Sequence, residues 1–177
     1  AIVGLGGVGL SALLASIAIG SKKTIAIDLS DEKLALAKEL GADHTLNPKD
    51  ENFLETFLDI TSGGANIAVE TAGSGHALKT AYDITRRGGT TVAAGMPGPK
   101  VEITLSHLSI AAEERVIKGS YMGSCIAQRD IPKYLDMFQT GRLPVDRLLS
   151  RKIKFEDLNE AMDRLDDAKT VREVLIP

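Results

Sequence analysis

A single cysteine, Cys125, stands among the 177 residues. No intrachain disulfide can form, and that usage suits a reducing, cytoplasmic setting. Positive charge is not in surplus either. The 21 Lys and Arg face 24 Asp and Glu, the net charge is −3, and the chain has no basic run. Nucleic acid is therefore not an expected partner. A membrane is not expected either, because the longest apolar stretch, Leu5 to Ile19, is too short to span a bilayer. It also carries three glycines and two serines. No basic segment precedes it, so it does not read as a secretory leader. His44, His76 and His107 are widely scattered and share no ligand spacing with Cys125 or with paired carboxylates. They read as surface residues, and Cys125 as a small buried or half-buried one. No Ser-His-Asp arrangement is suggested.

Length and composition, 44% apolar and 25% charged, fit one globular domain with at most an appendage. Apolar β-branched runs alternate with helical ones. Short strands are predicted at Ala1–Val3, Thr24–Asp28, His44–Asn47, Asn66–Gly73, Gly89–Gly95 and Val116–Gly123. Helices are predicted after Gly9, over 30–42 with Ser30 or Asp31 as cap and Gly41 as stop, over 51–64, and over 75–85. Arg86-Arg87-Gly88-Gly89 reads as a helix C-terminus with basic residues against the dipole. Glu113-Glu114-Arg115 reads as a solvated turn. This order predicts an α/β doubly wound parallel sheet, the Rossmann dinucleotide-binding fold, over residues 1–123. Residues 124–177 form a C-terminal helix/strand return segment: a helix over 129–143 capped by Asp130, a strand over 151–155, a helix over 156–168 and a strand over 171–177. The first strand is shorter than the usual length of about 5–6 residues. A missing front part is the expectation.

The chemistry lies in the glycines. Gly4, Gly6 and Gly9 spell G-x-G-x-x-G between a strand and a helix, and Asp28 ends the next strand about twenty residues on. Gly4 allows a tight turn, Gly6 lets backbone approach a pyrophosphate, and Gly9 lets helix pack on strand. The helix N-terminus then offers free N–H groups to phosphates. A carboxylate at Asp28 accepts both adenosine ribose hydroxyls and repels a 2′-phosphate, which favours NAD over NADP. The alternative for Asp28 is a cap of the following helix.

"GLGGVGLSA", "IDLSDEKLALAKELGAD", "AVETAGS", "VAAGMP" and "VREVLI", in this order, resemble the zinc-dependent medium-chain alcohol dehydrogenases over essentially the whole chain. The resemblance implies pyrophosphate binding by the Gly7 and Val8 amides and by Arg172. It implies adenosine ribose recognition by Asp28 and Lys33. Thr71, Ala72 and Gly73, with Ala94, Gly95 and Met96, would flank the nicotinamide and its ribose, and backbone near Tyr121 would hold the carboxamide. Zinc, its ligands and the proton relay are expected only upstream of Gly4, in a domain with which residues 124–177 would pack. The implied activity is hydride transfer to NAD from an alcohol, or from a hydroxymethyl–thiol adduct. A zinc-free quinone or enoyl reductase and a stand-alone NAD-binding module are the alternatives. Val101–Leu105 reads as an alternating short edge strand, expected to pair with its twin in a homodimer; the alternative is an edge strand with Glu102 and Thr104 facing water.

Overall fold

Ile2 and Val3 point to opposite faces of a strand, and each finds its own core. The computed structural model describes residues 1–166 and 170–176. Ile2 joins Leu10, Leu13 and Leu14 of the first helix, whereas Val3 joins Ile25, Ile27 and Phe57. A strand buried on both sides must have helices on both faces, and this one does. The order is β1 (Ile2–Val3), α1 (Gly7–Ala18), β2 (Ile25–Ile27), α2 (Asp31–Glu39), β3 (His44–Leu46), α3 (Phe53–Thr61), β4 (Ala65–Glu70), α4 (Gly75–Asp83), β5 (Thr85–Ala93), α5 (His107–Glu113) and β6 (Val116–Gly119). All pairings are parallel, in the order β3-β2-β1-β4-β5-β6. The fold is the doubly wound, Rossmann-like α/β sheet. Strand order reverses between β1 and β4, the point where such sheets place a crevice beyond the strands' C-terminal ends.

Three helices start on serine caps. Ser30, Ser74 and Ser106 accept from the amides of Lys33, Ala77 and Ser109, each bond stabilising its helix by about 1 kcal/mol. Gly41 follows α2 at φ +108, a conformation that favours glycine.

The return segment holds α6 (Ala127–Gln139), α7 (Leu158–Asp166) and a second parallel pair, β7 (Arg151–Ile153) with β8 (Glu173–Leu175). Leu143 and Leu148 enter the α1 side of the core. Arg164 of α7 forks onto Glu173 of β8 at 2.8 Å through Nε and Nη2. This hydrogen bonding holds the Glu173 carboxyl below its ordinary pKa.

Several expectations are corrected. Arg86-Arg87-Gly88-Gly89 is not a helix end: α4 stops at Asp83, and these residues lie within β5. Thr85 is buried and bonds Ala81 O and Thr91 Oγ1, which pulls the chain into the sheet. The register against β4 shifts between Ala65 and Ile67, so the arginines occupy a bulge. Val101–Leu105 is a strand of neither sheet, because strand pairing requires a neighbour and none of the described residues supplies one. Asp130 is not the cap of α6. The helix starts earlier, after Ile126, and the Asp130 carboxyl reaches back to accept the Ile126 amide at 2.9 Å. The Arg129 guanidinium and then that amide hold it far below the ordinary carboxyl range. Cys125 is exposed, set in an irregular turn before α6. Glu113 and Arg115 form a half-buried ion pair, with Arg115 over the Tyr82 ring at 4.9 Å, rather than a solvated turn. His44 is half-buried in β3, while His76 and His107 are exposed. Residues 167–168 of the expected helix, and Pro177 of the last expected strand, lie outside the described residues.

Candidate functional site

The turn from β1 into α1 is built around backbone that lacks side chains. Gly4 sits at φ +93, and a Cβ there would meet Ala72 at 2.8 Å. A Cβ on Gly9 would lie 1.8 Å from Gly4 O. Gly6 is different: nothing comes within 4 Å of where its Cβ would stand. The turn is therefore closed behind by Gly4 and Gly9 and open in front at Gly6. It is tied down by Gly4 N to Ile27 O at 2.8 Å and Thr71 Oγ1 to Gly4 O at 2.7 Å.

In contrast to the serine-capped helices, α1 begins on Gly6 with no side-chain cap and no acidic residue in its first turn. Its leading amides, Gly7, Val8 and Gly9, are those a helix leaves without internal partners. Val8 is 59% exposed beside them. The dipole adds partial positive charge at this end. A guanidinium joins it, because Arg172 Nη2 lies 3.2 Å from the Cβ position of Gly7. Ser150 Oγ accepts from the amides of Val171 and Arg172 and sets that placement.

Asp28 lies across the turn at the end of β2. Its Oδ2 accepts the Leu5 amide at 2.6 Å and its Oδ1 the Ser30 amide at 3.0 Å. Ser30, not Asp28, caps α2, with Lys33 in the first turn donating its amide to that cap. A carboxylate has about four acceptor directions, so each Asp28 oxygen keeps one for a further donor.

The strand ends of β4 and β5 form the other side of the crevice. Thr71, Ala72 and Gly73 follow β4, and Ala94, Gly95 and Met96 follow β5. The two turns touch: a Cβ on Gly73 would meet Met96 O at 2.6 Å, and one on Gly95 would meet Gly73 N at 2.2 Å. Tyr121 follows β6, one strand farther out. Its side chain is 71% exposed. The structure thus gathers Gly4, Gly6, Gly7, Val8, Gly9, Asp28, Thr71 and Arg172 around the α1 N-terminus. It sets Ala72, Gly73, Ala94, Gly95 and Met96 beside them on the far side of the strand-order reversal. Tyr121 stands at the margin.

Two contributors escaped sequence reasoning. Leu5 matters through its amide, which no pattern of side chains reveals. Glu70 is 2% exposed at the end of β4. Its signal was available, since an acidic residue inside an apolar strand is rarely buried without a task. No three His, Cys, Asp or Glu side chains gather to hold a metal among the described residues. No helix among them is long and apolar enough to cross a membrane.

Residues 7–140 match the family model described as "Zinc-binding dehydrogenase". Geraniol dehydrogenase of Castellaniella defragrans is 34% identical over 99% of this chain and 47% of its own length. Benzyl alcohol dehydrogenase from Acinetobacter calcoaceticus superposes with a TM-score of 0.94 at 31% identity, covering 98% of this chain and 48% of that one. A Sinorhizobium meliloti structure, described as a zinc-binding dehydrogenase and solved bound to NADP, superposes with a TM-score of 0.85 at 26% identity. That match covers 99% of this chain and 51% of the other. The chain spans about half the length of the curated relatives it matches. Over that span, the chain belongs to the zinc-binding dehydrogenase family.

Proposed function

We propose that this chain is the coenzyme-binding part of an NAD-dependent alcohol dehydrogenase. The observation that carries the reading is the uncapped start of α1, set between the Asp28 carboxyl and the Arg172 guanidinium. The open space at Gly6, where a Cβ would meet nothing, fits a pyrophosphate lying against backbone. Two unused acceptor directions on Asp28 fit vicinal ribose hydroxyls, and NAD over NADP follows from its charge. Bound NAD supplies the hydride acceptor for an alcohol carbon. The chain's own part is positioning. The α1 amides and Arg172 neutralise the pyrophosphate, Asp28 and Lys33 hold the adenosine ribose, and the ends of β4 and β5 wall the nicotinamide side, with Tyr121 backbone at its margin. The relatives' names support an alcohol or aldehyde substrate. A cytoplasmic setting is supported by cysteine usage alone. The experiment is calorimetric titration of the chain with NADH; heat-silent titration at millimolar ligand overturns the reading.

No cluster of His, Cys, Asp or Glu among the described residues fits zinc, so on this reading its ligands belong to residues outside this chain. Residues 1–123 form the coenzyme domain and 124–177 the segment that packs with that further part. The expected result is that the 177-residue chain retains no stoichiometric zinc by elemental analysis. One zinc per chain after dialysis overturns the assignment.

The protein is a homodimer through Val101–Leu105 on the same reading. Among the described residues, the amides of Glu102, Ile103, Thr104 and Leu105 donate no hydrogen bond. Ile103 and Leu105 are half-buried, whereas Glu102 and Thr104 are exposed, the alternation of an extended segment with one covered face. A second copy related by a two-fold axis would satisfy both edges at once. Ile103→Pro removes one ladder donor and is expected to weaken the dimer by about ten-fold, read by light scattering over a dilution series. A parent that is monomeric at high concentration rules this interface out.

A further inference from the structure

Glu70 is the most enclosed acidic side chain of the crevice, at 2% exposure. It ends β4 in register with Val3 of β1 on one side and Ala93 of β5 on the other. Its Oε1 accepts the Gly73 amide at 2.5 Å. Its carbonyl oxygen accepts the amides of both Ala94 and Gly95 at 2.9 Å. One residue thus ties the turn after β4 to the end of β5. The packing there leaves no slack. Gly73 is held at φ +69, and a Cβ on Gly95 would lie 2.8 Å from Glu70 Oε1. A strand end that needed only filling would take an apolar side chain, since burying a polar group costs free energy unless it is bonded. The bond it makes goes to the amide of Gly73, whose Cβ position lies 2.6 Å from Met96 O.

We propose that Glu70 is a positioning residue for the nicotinamide half of the coenzyme. Its carboxyl fixes the turn after β4 through the Gly73 amide and packs against Gly95, while its carbonyl holds the end of β5, so that half of the crevice is formed before ligand arrives. The adenosine ribose site is set by other bonds, those of Asp28 to the Leu5 and Ser30 amides. This inference rests on the coenzyme reading above. It predicts an asymmetry that loss of stability alone does not produce: removing the acceptor weakens binding only of ligands that carry nicotinamide.

The test compares Glu70→Gln and Glu70→Met in the intact protein, because both fill the volume but only glutamine can accept the Gly73 amide. Affinities for NADH and for ADP-ribose, which lacks the nicotinamide, are measured by calorimetry. Glu70→Met is expected to lose about ten-fold in NADH affinity while ADP-ribose binding stays within about two-fold. Glu70→Gln is expected to hold NADH within about three-fold of the parent. Equal losses for both ligands, or methionine and glutamine variants that bind NADH alike, overturn the inference while leaving the coenzyme reading intact. A parent that binds neither ligand overturns both. If Glu70→Met does not fold, Glu70→Gln binding NADH ten-fold or more weaker than the parent overturns it; Glu70→Gln binding as the parent does, beside that misfolded methionine variant, supports the need for an acceptor.

Discussion

Replacing Asp28 with serine is expected to shift the preference between NAD and NADP on the order of 100-fold toward NADP. The size follows from charge. A 2′-phosphate seated where the ribose hydroxyl meets Asp28 would bring like charges within roughly 4 Å, a repulsion of about 4 kcal/mol at the effective dielectric of a protein surface. Part of that is relieved by solvent and by movement of the phosphate, which leaves about two orders of magnitude. Asp28→Gly should act in the same direction but with a second consequence. Asp28 also accepts the Leu5 and Ser30 amides, so a residue without an acceptor loosens the turn before α1 and weakens both coenzymes. Their ratio cancels that shared loss and isolates the charge. The family does not fix the outcome in advance, since one relative in it was solved bound to NADP. Calorimetry showing NADP bound by the unmodified chain as tightly as NAD would sink the argument from Asp28.

Much of this fold could be read before any coordinates. Parallel strands buried on both faces leave continuous apolar runs, the motif glycines mark the start of α1 and Ser30 that of α2, so β1 to β4 and α1 to α4 fall close to their expected places. Residues whose local signature fits two structures do not fall where the sequence pattern puts them. Arg86 to Gly89 carry the local signature of a helix end, but Thr85, buried on Ala81 and Thr91, commits them to β5. Asp130 has the composition of a cap, yet the helix begins after Ile126 and the carboxyl serves it from inside the first turn. The site divides the same way. Glycine spacing exposed the α1 turn, because a missing Cβ is a sequence fact with a steric meaning. The Leu5 amide and the Glu70 carboxyl act through hydrogen bonds fixed only once β1, β2, β4 and β5 lie side by side.

The three motif glycines should therefore fail in three different ways, with Gly9 the most severe. Gly9→Ala places a methyl 1.8 Å from Gly4 O and 2.8 Å from Thr71 Oγ1. The helix cannot simply tilt away. Leu10 and Leu13 are fully enclosed just beyond it and Leu14 nearly so, and backing off by more than an ångström would open the core they fill. It would also stretch the Thr71 to Gly4 bond that closes the turn. Overpacking of this kind costs about 3 kcal/mol or more, a fall in Tm of roughly 10 °C for a chain of this length. Gly6→Ala is the control. Its backbone lies at φ −75, which alanine adopts freely, and no atom comes within 4 Å of the added methyl. Thermal stability should stay within about 2 °C of the parent. NADH affinity should nevertheless fall by about ten-fold, because the methyl stands in the opening before the α1 amides. Gly4→Ala lies between, with φ +93 and Ala72 at 2.8 Å both against it. A Gly9→Ala protein with the parental Tm would show that α1 does not need the close approach. A Gly6→Ala protein binding NADH undiminished would remove Gly6 from the binding groove.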